Sequence, residues 1–203
     1  MITCLDLEGV LIPEIWINVA DKTGIAELRR TTRDEPDYDK LMKGRIKILH
    51  DHKLKLVDIQ NVIATMHPLP GAMEFLAWLK SECQVIILSD TFYEFAAPLM
   101  KQLEYPSLFC HSLVVDDRGM IKNYKLRMPD QKKQSVLALK KLNFHVIAAG
   151  DSYNDIAMLQ AADRGILFRP PDNVMKAYPQ FPVTQSYDEL KQVFLRYRAE
   201  LKK

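Results

Sequence analysis

With 203 residues, 48% of them hydrophobic and 27% charged, the chain has room for one large globular domain or for a core carrying a smaller inserted module. A net charge of only +2, with no basic stripe interleaved with aromatics, argues against a nucleic-acid binder, and no apolar run nears the roughly 20 residues that span a bilayer. Cys4, Cys83 and Cys110 are too scattered for a disulfide framework or a metal knuckle, and charge already at position 6 argues against a secretion signal, so a cytoplasmic location is expected.

The chain opens on an apolar strand, Ile2 to Val10, that carries two carboxylates, Asp6 and Glu8, and stops at Gly9. Residues two apart on a strand share a face, so these acids are expected side by side, where they repel and lose water. A divalent cation is the simplest group to offset them. The plain alternative is a polar turn that happens to hold two acids. Pro13 then suits a helix start, and residues 14–23 read as helical up to Gly24. After a polar stretch, Arg29 to Asp37, a second helix carries an apolar stripe of Tyr38, Leu41, Met42, Ile46 and Leu49. A third carries Leu56, Ile59, Val62, Ile63 and Met66, and His67-Pro68 ends it. Positions 13–67 are thus read as wholly helical.

From Pro70 onward strands and helices alternate. A helix with Ala72, Phe75, Leu76 and Leu79 leads to a strand, Val85 to Leu88, that ends at Ser89-Asp90-Thr91. The pattern then predicts a helix from Phe92 to about Leu103, a strand near Leu108 to Cys110, and a hairpin over Val114 to Ile121. A helix from about Gln131 to Leu142 precedes a strand, Phe144 to Ala149, which ends at Gly150-Asp151. A further helix ends near Ala162, a short strand covers Gly165 to Phe168, and an amphipathic surface helix, 187–203, closes the chain in solvated lysines. The alternation predicts a parallel sheet with helices on both faces. Asp6, Ser89 and Asp151 all fall at carboxyl ends of apolar strands, the edge where such sheets bind ligands, and the helical insert would cover that edge as a lid.

Each of these polar residues also has an ordinary explanation. Ser152-Tyr153-Asn154-Asp155 and Thr91-Phe92-Tyr93-Glu94 resemble helix capping boxes. Lys132 could be one more solvated lysine, although the first turn of a helix disfavours a cation. As a set they point to one chemistry. Asp6, Glu8, Asp151 and Asp155 bring four negative charges against the one of Lys132, so a phosphate dianion needs a divalent metal before it can enter. Mg²⁺, which takes oxygen ligands and shares phosphate oxygens, suits the set. Asp6 is then the candidate nucleophile and Glu8 the candidate general acid and base, with Ser89 and Lys132 binding phosphoryl oxygens.

The runs Asp6-Leu7-Glu8-Gly9-Val10, Ser89, Lys132 and Gly150-Asp151-Ser152-Tyr153-Asn154-Asp155 resemble, in order, the four signatures of the haloacid dehalogenase-like phosphatases. Within that family the likeness is greatest to phosphoserine phosphatases, and above all to a bacterial branch that also transfers phosphoryl groups to homoserine. The resemblance implies an α/β fold with a Rossmann-like core over 1–12 and 68–203 and a small helical cap over 13–67. It implies Asp6 as nucleophile, Glu8 as general acid/base, Mg²⁺ on the carboxylates of Asp6 and Asp151 and the carbonyl of Glu8, Asp155 on the metal's waters, and Asn154 at substrate or phosphate. The expected small molecules are O-phospho-L-serine and L-homoserine, handled by a monomer or homodimer without nucleic-acid or membrane partners. Two departures stand out. Glu8 replaces the usual aspartate, and Asp90-Thr91 replace two glycines, which puts Asp90 among the expected substrate-contacting residues.

In the helical insert, Arg45 shares the apolar stripe, where an unpaired charge is expensive and a guanidinium fork would match a carboxylate. An arginine salt-bridged at the rim is the alternative. The resemblance makes Glu14 an acceptor for the substrate's ammonium, with plain stabilisation of a helix N-terminus as the alternative. Tyr38 would be pocket wall or core. His50 and His52 diverge on their helix and are not read as metal ligands, and Arg29, Arg30 and Arg33 read as a solvated face. A phospho-accepting receiver-type domain is the rival from another class, disfavoured because the nucleophile ends the first strand and a long helical insert follows.

Overall fold

The computed structural model describes residues 1–31, 34–35 and 37–201. Seven strands form one sheet in the order β4-β3-β2-β1-β5-β6-β7. They are β1 (Ile2–Leu5), β2 (Gln84–Phe92), β3 (Ser107–Val115), β4 (Ile121–Lys125), β5 (Val146–Gly150), β6 (Arg164–Phe168) and β7 (Val183–Thr184). All neighbours pair in parallel except β3 and β4, which are antiparallel. Between β1 and β2 lie α1 (Ile15–Thr23), α2 (Tyr38–Asp51), α3 (Leu56–Ile63) and α4 (Ala72–Glu82). The later helices are α5 (Tyr93–Gln102), α6 (Gln131–Lys141), α7 (Ile156–Ala161), α8 (Asp172–Ala177) and α9 (Tyr187–Leu201).

Strand alternation divides the interior into two apolar clusters. Ile2, Cys4, Val146 and Ala148 pack with Val136 of α6 and Met158 and Leu159 of α7, while Leu5, Ile147 and Ala149 pack with Phe75 of α4 and Phe194 of α9. The second cluster continues into the helical segment through Ile15, Val19, Met42, Leu49 and Ile59, so the segment shares the core of the sheet. Trp16 meets Phe95 edge to face at 5.4 Å, and Tyr38 meets Tyr124 at 5.7 Å. The fully buried Phe95 ring stabilises by about 1.5–3 kcal/mol relative to exposure. The β3–β4 hairpin adds polar ties to the same segment: Leu56 donates its N–H to the carbonyl of Gly119 at 2.9 Å, His50 Nε2 lies 2.7 Å from the carbonyl of Ile121, and the Tyr124 hydroxyl donates to Asp39 at 2.7 Å.

Four expectations need correction. β1 ends at Leu5, so Asp6 and Glu8 do not ride on a strand to Val10. The Asp6 N–H makes one more sheet bond, to the carbonyl of Ala149 at 3.0 Å, and the chain then folds back with Leu11 and Ile12 donating to the carbonyl of Leu7. β2 does not end at Leu88. It runs to Phe92, and its partners jump from Phe109 for Leu88 to His111 for Phe92, so Ser89, Asp90 and Thr91 bulge opposite Cys110 alone. The Thr91–Glu94 capping box does not form, because Thr91 is still in the strand and Glu94 instead accepts the N–H of Leu113 at 2.9 Å. β3 is longer than read, merging the strand near Leu108 with the first arm of the hairpin. The pattern also passed over α8 and β7, a single six-residue helix and a two-residue strand. Among the described residues, no helix is long and apolar enough to cross a membrane.

Candidate active site

The carboxyl ends of β1 and β5 and the bulge of β2 meet at the start of α6. Lys132, in the first turn of that helix and only 4% exposed, extends its ammonium to Asp6 Oδ1 and Asp155 Oδ1, both at 2.8 Å. Its awkward position in the helix thus has a cause outside the helix. The two carboxylates, with Asp90 at 3.7 Å, hold the Lys132 ammonium well above its ordinary pKa although burial acts the other way. Asp155 is fully buried, and its Oδ2 accepts the N–H groups of Asp151 (3.0 Å) and Ser152 (3.2 Å). The capping box predicted at Ser152–Asp155 is therefore present, and the same carboxylate serves Lys132.

Asp6, Asp151 and Asp155 each offer an oxygen, all within 4.8 Å of one another. Burial and the neighbouring Asp155 push Asp6 up, against the pull of Lys132. Burial, with Asp155 and Glu14, pushes Asp151 up to about 7. These acids lie close because two glycines let the backbone approach them. A Cβ on Gly9, where φ is +75°, would sit 2.5 Å from the Asp151 carboxyl, and one on Gly150 would sit 2.3 Å from that of Asp155. A cluster of hard oxygen donors whose acids resist ionising together fits a divalent cation of the Mg²⁺ kind.

Above this floor lies a cavity of about 350 Å³ lined by Asp6, Glu8, Glu14, Tyr38, Arg45, Ser89, Asp90, Lys132, Asp151 and Asn154, among others. All of the expected site residues line it except Asp155, which is buried beneath. Glu8 accepts the N–H of Ile15, the first residue of α1, at 2.8 Å. Burial, then the charge of Glu14, raise Glu8 to about 8, which favours its protonated form at neutral pH. Arg45 is 7% exposed. It donates to the carbonyl of Arg30 at 2.7 Å and lies 4.5 Å over the Trp16 ring, while its Nε has no partner among the described residues. Burial lowers it to about 10, which leaves it charged at neutral pH. Among the described residues no carboxylate salt-bridges it; it contacts an indole, a carbonyl and the Met42 sulfur, with Glu8 and Glu14 across the same cavity. The Tyr38 hydroxyl donates to the carbonyl of Asp90 at 3.0 Å.

Some expectations fall elsewhere. His50 turns to the hairpin, Arg29 pairs with Asp21, and Arg33, Lys202 and Lys203 lie outside the described residues. Sequence reasoning missed Gln131, whose Nε2 donates to the carbonyl of Ser89 at 2.8 Å, and His111, buried beside Asp90. For Gln131 its place beside Lys132 was a usable signal; for His111 there was none. A larger cavity of about 770 Å³ adjoins the first and shares Tyr38, Asp90, Lys132, Ser152 and Asn154 with it.

Residues 4–163 match the family model described as haloacid dehalogenase-like hydrolase. A protein named phosphoserine phosphatase from Pseudomonas syringae pv. tomato is 60% identical over 195 residues, covering 96% of this chain and 82% of its own length. One named phosphoserine phosphatase ThrH from Pseudomonas aeruginosa is 60% identical over the same span length, covering 96% of this chain and 95% of its own. Among solved structures, a substrate-bound phosphoserine phosphatase complex superposes with a TM-score of 0.78 at 18% identity, over 95% of this chain and 97% of that one.

Proposed function

The chain belongs to the haloacid dehalogenase-like hydrolases, and from that premise we propose that it is a Mg²⁺-dependent phosphoserine phosphatase acting through an aspartyl-phosphate, able also to pass the phosphoryl group to L-homoserine. The observation that carries this reading is the pairing of a floor of Asp6, Asp151, Asp155 and Lys132 with a roof of Glu8, Glu14 and Arg45 around one small cavity. Relatives of 60% identity named as phosphoserine phosphatases support the substrate.

Asp6 attacks phosphorus in line, forming a P–O bond to its carboxylate as the bond to the serine oxygen breaks. Glu8, in the protonated form favoured at neutral pH, gives its proton to that departing oxygen. The resulting carboxylate then takes a proton from water, whose oxygen bonds to phosphorus as the P–O bond to Asp6 breaks, returning the Asp6 carboxylate and releasing orthophosphate. Lys132, Ser89 and Asn154 bind the phosphoryl oxygens where charge builds up. The carboxylates of Asp6 and Asp151 and the carbonyl of Glu8 would hold Mg²⁺, with Asp155 behind them at its waters. Bound there, the ion supplies the positive charge that lets a dianion approach these acids.

Residues 13–67 act as the cap and select the substrate. Arg45 takes the amino acid's carboxylate, Glu14 its ammonium, and Tyr38 walls the cavity. An amino acid one methylene longer than serine loses only about 1–3 kcal/mol in such a pocket, so L-homoserine can enter once serine has left and compete with water for the phosphoryl group. The enzyme works in the cytoplasm as a monomer or homodimer.

The test is a panel of small phosphate esters assayed with Mg²⁺ and with EDTA, then with added homoserine. The expected result is metal-dependent turnover with phosphoserine preferred, and phosphohomoserine appearing beside phosphate. Metal-independent turnover, or a preference for sugar phosphates, would sink the main reading. Phosphate release without phosphohomoserine would remove the transfer alone.

A further inference from the structure

Asp90 is a carboxylate that the reaction above does not use. It protrudes at the β2 bulge, in the wall shared by the two cavities. Its Oδ2 accepts from Asn154 Nδ2 at 3.1 Å and lies 3.7 Å from the Lys132 ammonium. Its Oδ1 accepts from Gln131 Nε2 at 3.4 Å and lies 3.6 Å from His111 Nε2. His111 Nδ1 is itself taken by the N–H of Arg127, so the neutral ring turns an N–H toward Asp90. Held from these sides, the carboxylate cannot swing out of the wall.

Its charge therefore stands permanently beside the phosphoryl-binding residues. Lys132 already serves Asp6 and Asp155, and Asp90 is a third claim on the same ammonium. Any phosphate bound between Lys132, Ser89 and Asn154 meets that negative charge at close range. Phosphoserine has compensation, because its carboxylate and ammonium engage Arg45 and Glu14. Orthophosphate has no such handles.

We propose that Asp90 is a charge that expels orthophosphate: it weakens the site's hold on any phosphate group, and because the free product lacks the anchors at Arg45 and Glu14, only the product is left weakly bound, which sets product release and the resistance to product inhibition. This rests on the phosphatase reading of the site. The electrostatic role has an opposite sign to a structural one. If Asp90 merely propped Asn154, Asp90→Asn would leave orthophosphate binding unchanged or weaken it.

The experiment compares wild type, Asp90→Asn and Asp90→Glu, with melting temperatures checking the fold. Orthophosphate affinity is measured by calorimetry on Mg²⁺-loaded protein and as the inhibition constant against phosphoserine. Asp90→Asn keeps an oxygen for Asn154 and should bind orthophosphate about tenfold tighter, a partly screened charge–charge effect, with KM for phosphoserine falling by no more than the same factor. Asp90→Glu should restore weak binding. Unchanged or weaker orthophosphate binding by Asp90→Asn would overturn the proposal. If wild type fails to turn over phosphoserine, the functional reading falls, while the calorimetric comparison still decides the role of Asp90.

Discussion

On the sheet side of the cavity, Asp6, Asp151 and Asp155 sit where backbone hydrogen bonds and two close-approach glycines put them; on the helical side, Arg45 depends on a lone carbonyl and an indole face, and Glu8, between the two, is tied to the first N–H of α1. The first arrangement tolerates almost no displacement. A methyl group on Gly150 would strike the Asp155 carboxyl, and through it the hold on Lys132. The second can be rebuilt by exchanging side chains without touching the sheet. Under the proposed function the difference parallels a division of labour: the residues proposed to hold the metal and attack phosphorus are locked by backbone, and Arg45, proposed to select the substrate, is held by packing.

Substitutions on the two sides should break that contrast in different ways. The largest effect is expected from Asp6→Asn, whose amide is a poor nucleophile: turnover should fall below detection with the melting temperature retained, and residual multiple turnover would remove Asp6 from its role. Glu8→Gln should come next, slowing turnover by about 10²–10⁴-fold because one group serves both proton transfers. Rapid-quench measurement should find both formation and breakdown of the aspartyl-phosphate slowed. Arg45→Lys, on the selecting side, should raise KM for phosphoserine about 10- to 100-fold, the range of a lost charged hydrogen bond, with kcat much less affected. A mainly kcat defect would move Arg45 to the reacting side of the comparison.

The smallest effect sharpens the comparison through stability. Asp151 and Glu8 have folded-state pKa values raised to about 7 and about 8, so their contribution is complete below the ordinary carboxylate range and lost as pH rises through those values. Metal-stripped protein should therefore melt a few degrees lower at pH 9 than at pH 6, and Mg²⁺ should reduce the difference. Asp151→Asn should flatten the pH dependence of the stripped protein. An unchanged slope in that variant would mean that the acids of the floor are not in conflict.

What the sequence disclosed follows the same division. Asp6, Ser89 and Asp151 were legible because each follows an apolar run, and Lys132 because a cation at a helix start needs an outside reason. Arg45 was legible as a charge on an apolar stripe, though its seat on Trp16 was not, since nothing in the spacing pairs α1 with α2. The bulge at Ser89–Thr91 depends on the register of β2 against β3, which no local pattern records. The Asp90 cluster was hidden for the same reason, because His111, Gln131 and Asn154 come from three separate elements or turns. The Thr91–Glu94 motif misled, as a cap-like spelling inside a strand has no helix start to cap.

The β3–β4 hairpin has a bearing on how such a protein could be recombined. Although residues 13–67 are contiguous and wholly helical in their described elements, they reach the hairpin through Leu56, His50 and Asp39, and those partners lie at Gly119, Ile121 and Tyr124. Specificity swapped in by exchanging the helical stretch alone would arrive without its counterpart surface. A chimera that carries 116–125 along with 13–67 keeps the matching face, so if the helical segment selects the substrate as proposed, the unit to be exchanged is two segments far apart in the chain.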